Sequence, residues 1–310
     1  KSPCTMRRPI CSTTVACSAV EPLETATATR EVRAVLKDFL FFILFILYVL
    51  QPLRLESRDG GMPMTKNSAV VAEQHPELIS ISDGIATADI APATGGAVAS
   101  YRWWQNGSAV DWLRPADQAA IGRRDAGAMA CFPLVPYSNR IRGGRFEFAG
   151  RTVELPSRPE DPHHEHGHGW RRPWTVMRCE AGTIVLCYRH IADSWPWSYE
   201  ARQVISLIDG RLVIAISVRN LSDTPMPAGF GLHPYFPSTP WTHVQARVSG
   251  MWETDADVLP TRHVAPPAGA DPTTGFDVSE TDFDTVFTGW RRPARISWPE
   301  HGRELDIEHE

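Results

Sequence analysis

Four histidines and a glutamate fall within HHEHGHGW, His163 to Trp170. Histidine is the commonest metal ligand and the commonest general acid or base near neutral pH. The stretch is therefore a metal site, a piece of proton-transfer machinery or a polar loop. His164, His166 and His168 alternate, so on a strand they would share one face, as zinc ligands can. Catalytic zinc also needs a further protein ligand and an oriented outer shell. No such partners can be assigned, which disfavours a metal.

Two more segments could do chemistry. In FPLVPYSNRIRGG, Phe132 to Gly144, two prolines bracket an apolar stretch ahead of Asn139 and Arg140. An amide beside a planar guanidinium suits recognition of hydroxyl groups. The alternative is a surface turn with a solvated arginine, since turns favour asparagine anyway. In PAGFGLHPYFP, Pro227 to Pro237, His233 lies between an apolar, glycine-rich approach and Pro-Tyr-Phe. Those neighbours predict partial burial, which lowers an imidazole pKa and keeps it tunable for proton transfer. A core histidine bonded to a backbone carbonyl is the competing reading.

The elements that must position these residues read as strands. GRFEFAGRTVEL predicts a hairpin, with Phe146 and Phe148 alternating with polar residues and Ala149-Gly150 at the turn. WSYEARQVISLIDGRLVIAISVRNLS carries the strongest β signal, with an Asp209-Gly210 turn. Its second half is apolar on both faces in part, which predicts burial on both sides. GTIVLCYRH is a further strand, and ARISWPEHGRELDIEH suggests a late hairpin. With 26 prolines and 22 glycines punctuating short strands, the expected fold is all-β, a large antiparallel β-sandwich.

The composition is that of an ordinary globular chain: 310 residues, 43% hydrophobic, 22% charged, net charge −5. Mild acidity gives no electrostatic reason to expect nucleic acid. Eleven tryptophans suit a sandwich core and also serve as platforms for sugar rings. Cys131, Cys179 and Cys187 show no CxxC pairing, so the body reads as a reduced, cytoplasmic protein with free thiols. Residues 1–61 read differently, as a non-globular leader. Its apolar run FLFFILFILYVL, Phe39 to Leu50, is short for a membrane span, which needs roughly 20 residues. No small-residue cleavage site follows it. The leader is expected to be upstream sequence foreign to the native protein, with MPMTKNS at Met62 as the natural start of the 62–310 domain. A membrane partner is expected only if the 39–50 run is a genuine anchor.

Taken in order, TGGAVASYRW, FPLVPYSNRIRGGRFEFAGRTVEL, HGHGWRRPWTV, MPAGFGLHPYFP and DFDTVFTGW resemble segments of the aldose 1-epimerase family, the galactose mutarotases and their relatives. The resemblance covers roughly Leu78 to the end. It implies the galactose mutarotase-like sandwich and interconversion of the α and β anomers of a free aldose, without metal or organic cofactor. By the same resemblance His233 matches the general acid, and His166 the histidine that hydrogen-bonds the sugar near its ring oxygen. Arg140 matches a sugar-binding arginine with Asn139 as its helper. Asp284 matches, more loosely, an aspartate that binds sugar hydroxyls; Asp282 is only two residues away. His163, His164 and His168 are then rim residues or neutral extras.

The family's general base is a late glutamate in a V-E-P-like segment, one strand beyond RELDIEHE. Glu304, Glu308 and Glu310 do not stand in that context. The expectation is a sandwich lacking its last strands and that base. Three other functions stay open: a hexose-phosphate epimerase using Arg142, Arg171 or Arg172, a non-catalytic sugar-binding protein, and a metal-dependent hydrolase built on the histidine cluster.

Overall fold

The computed structural model describes the strand Cys11–Val15 and residues 77–310, apart from residues 106, 270, 281–283 and 310. Local chemistry accounts for the hairpins. Asp209 (φ 52°) and Gly210 (φ 79°) both take the left-handed conformation that a two-residue hairpin turn of this hand demands. Tyr199–Ile208 therefore folds straight back onto Arg211–Asn220, in register from Ile208↔Arg211 to Tyr199↔Asn220. Ala149 and Gly150 do the same between Arg145–Phe148 and Arg151–Glu154. The late hairpin forms too, joining Arg291–Trp298 to Arg303–His309 through one 3-10 turn, Pro299–His301.

These hairpins belong to an antiparallel β-sandwich. A six-stranded sheet runs in the order Gly231–Pro234, Cys131–Leu134, Ala97–Gln105, Ala86–Ala91, Ile79–Ser82, with Ser108–Asp111 paired back onto Ala97–Gln105. A four-stranded sheet runs Arg211–Asn220, Tyr199–Ile208, Thr183–His190, Thr175–Glu180. A five-stranded sheet holds the late hairpin, His243–Arg247 and Phe276–Asp277, and Cys11–Val15 pairs with Arg303–His309 in parallel at its edge. All three sheets feed one core. Ile90 and Tyr101 come from the first, Ile184 and Ile214 from the second, Ile296 and Leu305 from the third. The tip of the long hairpin is locked to the first sheet: Tyr101 Oη and Trp103 Nε1 both donate to the Gly210 carbonyl, and Gly210 N donates to Asp83.

Burial of Arg211–Asn220 on both faces is not what the structure shows. Leu212, Ile214, Ile216 and Val218 face the core, whereas Val213 and Ala215 are half-buried and Ser217 and Arg219 exposed. The outer face of this sheet is only partly covered, so apolar residues there do not report burial. The sequence pattern does not show the short helix Gln118–Arg123, capped by the Asp117 side chain accepting from Ala120 N at 2.6 Å. Cys131, Cys179 and Cys187 are free thiols. No helix among the described residues is long and apolar enough to cross a membrane. Apart from Cys11–Val15, the leader with its 39–50 run and Met62 lies outside the described residues.

Candidate active site

Two backbones running side by side build the site. The segment after Cys131–Leu134 and the loop 163–169 dock through main-chain hydrogen bonds. Ile141 N donates to His163 O, His166 N to Asn139 O, and His168 N and Gly169 N to Val135 O. The glycines in HGHGW have a steric reason. Gly167 has φ 70°, and a Cβ there would lie 2.4 Å from the Val135 carbonyl oxygen; at Gly169 it would lie 2.2 Å from Val135 Cγ2. Gly167→Ala is therefore expected to cost on the order of 2–3 kcal/mol in urea unfolding, combining left-handed strain with backbone collision. Gly143 has a similar φ of 60° but open space around it. Its alanine variant is expected to cost about 1 kcal/mol, from strain alone. Equal losses would show that the close approach is unimportant.

This docking does not put His164, His166 and His168 on one strand face. His164 (φ 49°) and His166 (φ 63°) are left-handed loop residues, and the three rings go to different places. His164 is buried against Gly144. His168 bonds the Tyr199 hydroxyl at 2.8 Å and lies 4.3 Å from the His190 ring. Both line a separate cavity of about 540 Å³ with Arg158, Arg172 and Tyr188. They lie on the loop's reverse side, away from His233, so of the two placements expected for them, rim or extra, the rim is not where they stand. His163, half-buried, accepts from Gly143 N at 3.0 Å. No group of three or more His, Cys, Asp or Glu among the described residues is arranged to hold a metal ion.

His166 turns the other way, to His233. Their rings are 5.2 Å apart and nearly perpendicular, at 75°. His233 lies on Gly231–Pro234, directly across from Phe132 on Cys131–Leu134. Phe132 stacks on His233 at 4.8 Å and on Trp170 at 5.0 Å, and Tyr235 continues the row 4.8 Å beyond His233. Guanidinium groups close both ends: Arg171 over Trp170 and Arg114 over Tyr235. Phe132 is thus the support for the histidine pair. Its sequence gives no sign of that role, because a buried phenylalanine on a strand looks like any core residue.

Burial pushes the pKa of both histidines from 6.5 down to about 4. For His233 the neighbouring His166 adds to the effect, and Asp284 opposes it. Both rings are therefore neutral at pH 7. The His166 tautomer follows from one bond. Its Nδ1 is 2.6 Å from the Ser138 carbonyl, which only accepts, so Nδ1 carries the hydrogen.

Arg140 and Asn139 lie beside this pair. Arg140 Nη2 is 2.8 Å from Glu165 Oε1 and 3.9 Å from Asp284 Oδ2. The Asn139 side-chain oxygen accepts from Arg140 N at 2.6 Å. Asn139 Nδ2, Arg140 Nη1 and Ser138 Oγ are buried with no hydrogen-bond partner among the described residues. Buried donors of this kind are costly unless a ligand satisfies them. Asp284 is 59% exposed and stands at the margin of the cluster; Asp282 lies outside the described residues. Thus His166, His233, Asn139 and Arg140 come together, with Asp284 at the edge. Glu165, which no sequence signal marks, sits in the middle. Glu304 lies on the late hairpin, paired with Arg295 at 3.2 Å.

Comparisons with known proteins show the family and the fold. The family model described as Aldose 1-epimerase matches residues 77–310. The uncharacterized protein YphB of Escherichia coli K12 is 30% identical over 233 residues, covering 74% of this chain and 77% of that protein. A solved GalM/aldose epimerase homologue from C. elegans superposes with TM-score 0.64 at 19% identity, over 74% of this chain and 77% of its own. A galactose mutarotase-like protein from Clostridium acetobutylicum gives TM-score 0.61 at 20% identity, over 72% and 74%. At such identities the last two speak for the fold alone.

Proposed function

The chain belongs to the aldose 1-epimerase family, and on that footing we propose that it is a mutarotase, interconverting the α and β anomers of free hexoses. The reaction opens the hemiacetal ring and recloses it on the other face. It needs a proton taken from the anomeric hydroxyl and a proton given to the ring oxygen. His233, in its protonated form, is the proton donor to the ring oxygen, so sugar binding has to raise the affinity for a proton that burial lowers, and His166 holds the sugar near that atom. Arg140, Asn139 and Asp284 hold its hydroxyls. The observation that carries this reading is the convergence of a histidine pair 5.2 Å apart with buried, unpartnered donors on Asn139 and Arg140. Proton transfer and hydroxyl recognition are what those groups supply.

An unphosphorylated sugar fits better than a phosphorylated one. Arg142 is 3.5 Å from Asp255, and Arg171 is 3.8 Å from Asp161 while stacked on Trp170. Both already face a carboxylate, and Arg172 lines the cavity on the loop's reverse side with His164 and His168. The free thiols support a reducing, cytoplasmic setting. The test is polarimetry on freshly dissolved α-D-glucose and α-D-galactose with the full chain. A first-order approach to equilibrium faster than the buffer control is expected for at least one of them. No acceleration, with sugar binding intact by calorimetry, would leave a sugar-binding protein instead. Faster turnover of glucose 6-phosphate than of glucose would move the assignment to a hexose-phosphate epimerase.

A further inference from the structure

The cavity on the reverse side of loop 163–169 has no part in the mutarotase reading. It encloses about 540 Å³, within the range of about 300–1,000 Å³ usual for metabolite sites. The loop separates it from the sugar site. His166 turns towards His233 on one side, and His168 towards Tyr199 and His190 on the other.

Charge in this cavity runs against the trend of the chain. The whole protein carries a net −5. Among the described residues, however, the cavity is lined by Arg158, Arg172 and Arg189 against Asp193 alone. Arg172 forms no ion pair among the described residues. Arg158 faces Asp161 at 3.8 Å, beyond hydrogen-bond length, and shares it with Arg171 at the same distance. The uncharged lining donates as well. Burial raises the phenol pKa of Tyr137 and Tyr188, the latter to about 12, so both keep their hydroxyl hydrogen at pH 7. Trp195 is 2% exposed, and its Nε1, which can only donate, is buried with no hydrogen-bond partner among the described residues. His168 is held at about 3 by burial and stays neutral, so the positive charge comes from the guanidinium groups.

We propose that this cavity binds a small phosphate monoester, at a site separate from that of the sugar at His166 and His233. Guanidinium groups match phosphate oxygens in geometry and do not lose their charge. The phenol and indole hydrogens complete a shell of donors around a group rich in acceptors. Inorganic phosphate alone would fill a small part of the space. The rings of Tyr137, Tyr188 and Trp195 give the ester's carbon skeleton a wall, and Asp193 and Ser194 are left for its hydroxyl groups. The ester is held and not transformed.

The test is calorimetric titration of the full chain at constant ionic strength. The probes are glycerol 3-phosphate and inorganic phosphate, with succinate and glycerol as controls. Glycerol 3-phosphate has no anomeric centre, so a mutarotase cannot turn it over. Expected is a Kd of about 0.1–1 mM for glycerol 3-phosphate, with weaker binding of inorganic phosphate and at least about tenfold weaker binding of succinate. Arg172→Ala is expected to weaken the ester about tenfold or more. Its urea midpoint, and its rate of any mutarotation without phosphate, should match the wild type. Arg158→Gln should weaken the ester less, because Asp161 already faces that guanidinium. His233→Ala should bind it as the wild type does. Unchanged binding in Arg172→Ala would overturn the proposal, as would loss of binding in His233→Ala, which would put the ester in the sugar site. Succinate binding as tightly as the ester, or no saturable binding of the ester up to about 10 mM, would overturn it too. These titrations read binding alone, so their outcome stands whether or not the wild type accelerates an aldose.

Discussion

Replacing His233 by alanine is expected to slow mutarotation about 10²–10⁴-fold, the usual worth of one positioned proton-transfer group, while the protein stays folded. The loss should fall on kcat. The buried donors that would hold the sugar's hydroxyls sit on Asn139 and Arg140, on another segment, so KM should move by no more than a few-fold. The fold should survive because His233 sits near the end of a short strand, half-buried, and its ring caps a stack that Phe132 and Trp170 maintain between themselves. Circular dichroism and a urea midpoint check that condition. A variant that keeps more than about a third of the wild-type rate would remove His233 from the proton-transfer step.

The second large effect is on stability in acid. His166 and His233 are held at about 4 and His168 at about 3, all from an ordinary 6.5, in each case chiefly by burial. Between those values and 6.5 the unfolded chain binds protons that the folded chain refuses. Stability therefore falls as pH drops from 6.5, and the loss is complete once pH is below about 3. A tenfold change in proton affinity is worth about 1.4 kcal/mol. Each histidine thus represents on the order of 3 kcal/mol, less whatever water penetration returns at the two half-buried rings. His164 moves in the same direction, whereas Glu165 moves upward and offsets part of the loss. The expected result is a urea midpoint that drops steeply between pH 6.5 and 4.5, with a shallower slope in His233→Ala. A flat profile over that interval would mean that these rings are hydrated in solution.

Which parts were legible follows from how local their causes are. The hairpin turns at Ala149-Gly150 and Asp209-Gly210 are dictated by two residues each, and alternation beside them sets the register. That His233, His166, Arg140 and Asn139 lie in one cluster was legible because three separated segments kept a recognisable order. Glu165 was not. Nothing in HHEHGHGW separates it from a solvated glutamate; what does is the docking of that loop against residues 135–141, which brings Arg140 to it. The places of His164 and His168 were not legible, for the complementary reason. Alternation implies a shared face only on a strand, and left-handed backbone at His164 and His166 cancels that rule.

The clamp on the Gly210 carbonyl bears on how the chain reaches this structure. The hairpin Tyr199–Ile208/Arg211–Asn220 can close on its own within microseconds. Its tip is secured only when Tyr101 and Asp83 arrive, 109 and 127 residues earlier in the chain. Until those loops close, the turn is a free end of an amphipathic ribbon whose core face, Leu212 to Val218, is open to solvent and to other chains. Seating the tip is therefore expected to be a late event, its rate governed by long-range chain search rather than by the hairpin. Crowded or rapid synthesis should penalise this step first. Aggregates recovered from such conditions should contain the long hairpin already paired, with amide protection along Tyr199–Asn220 and none at Gly210.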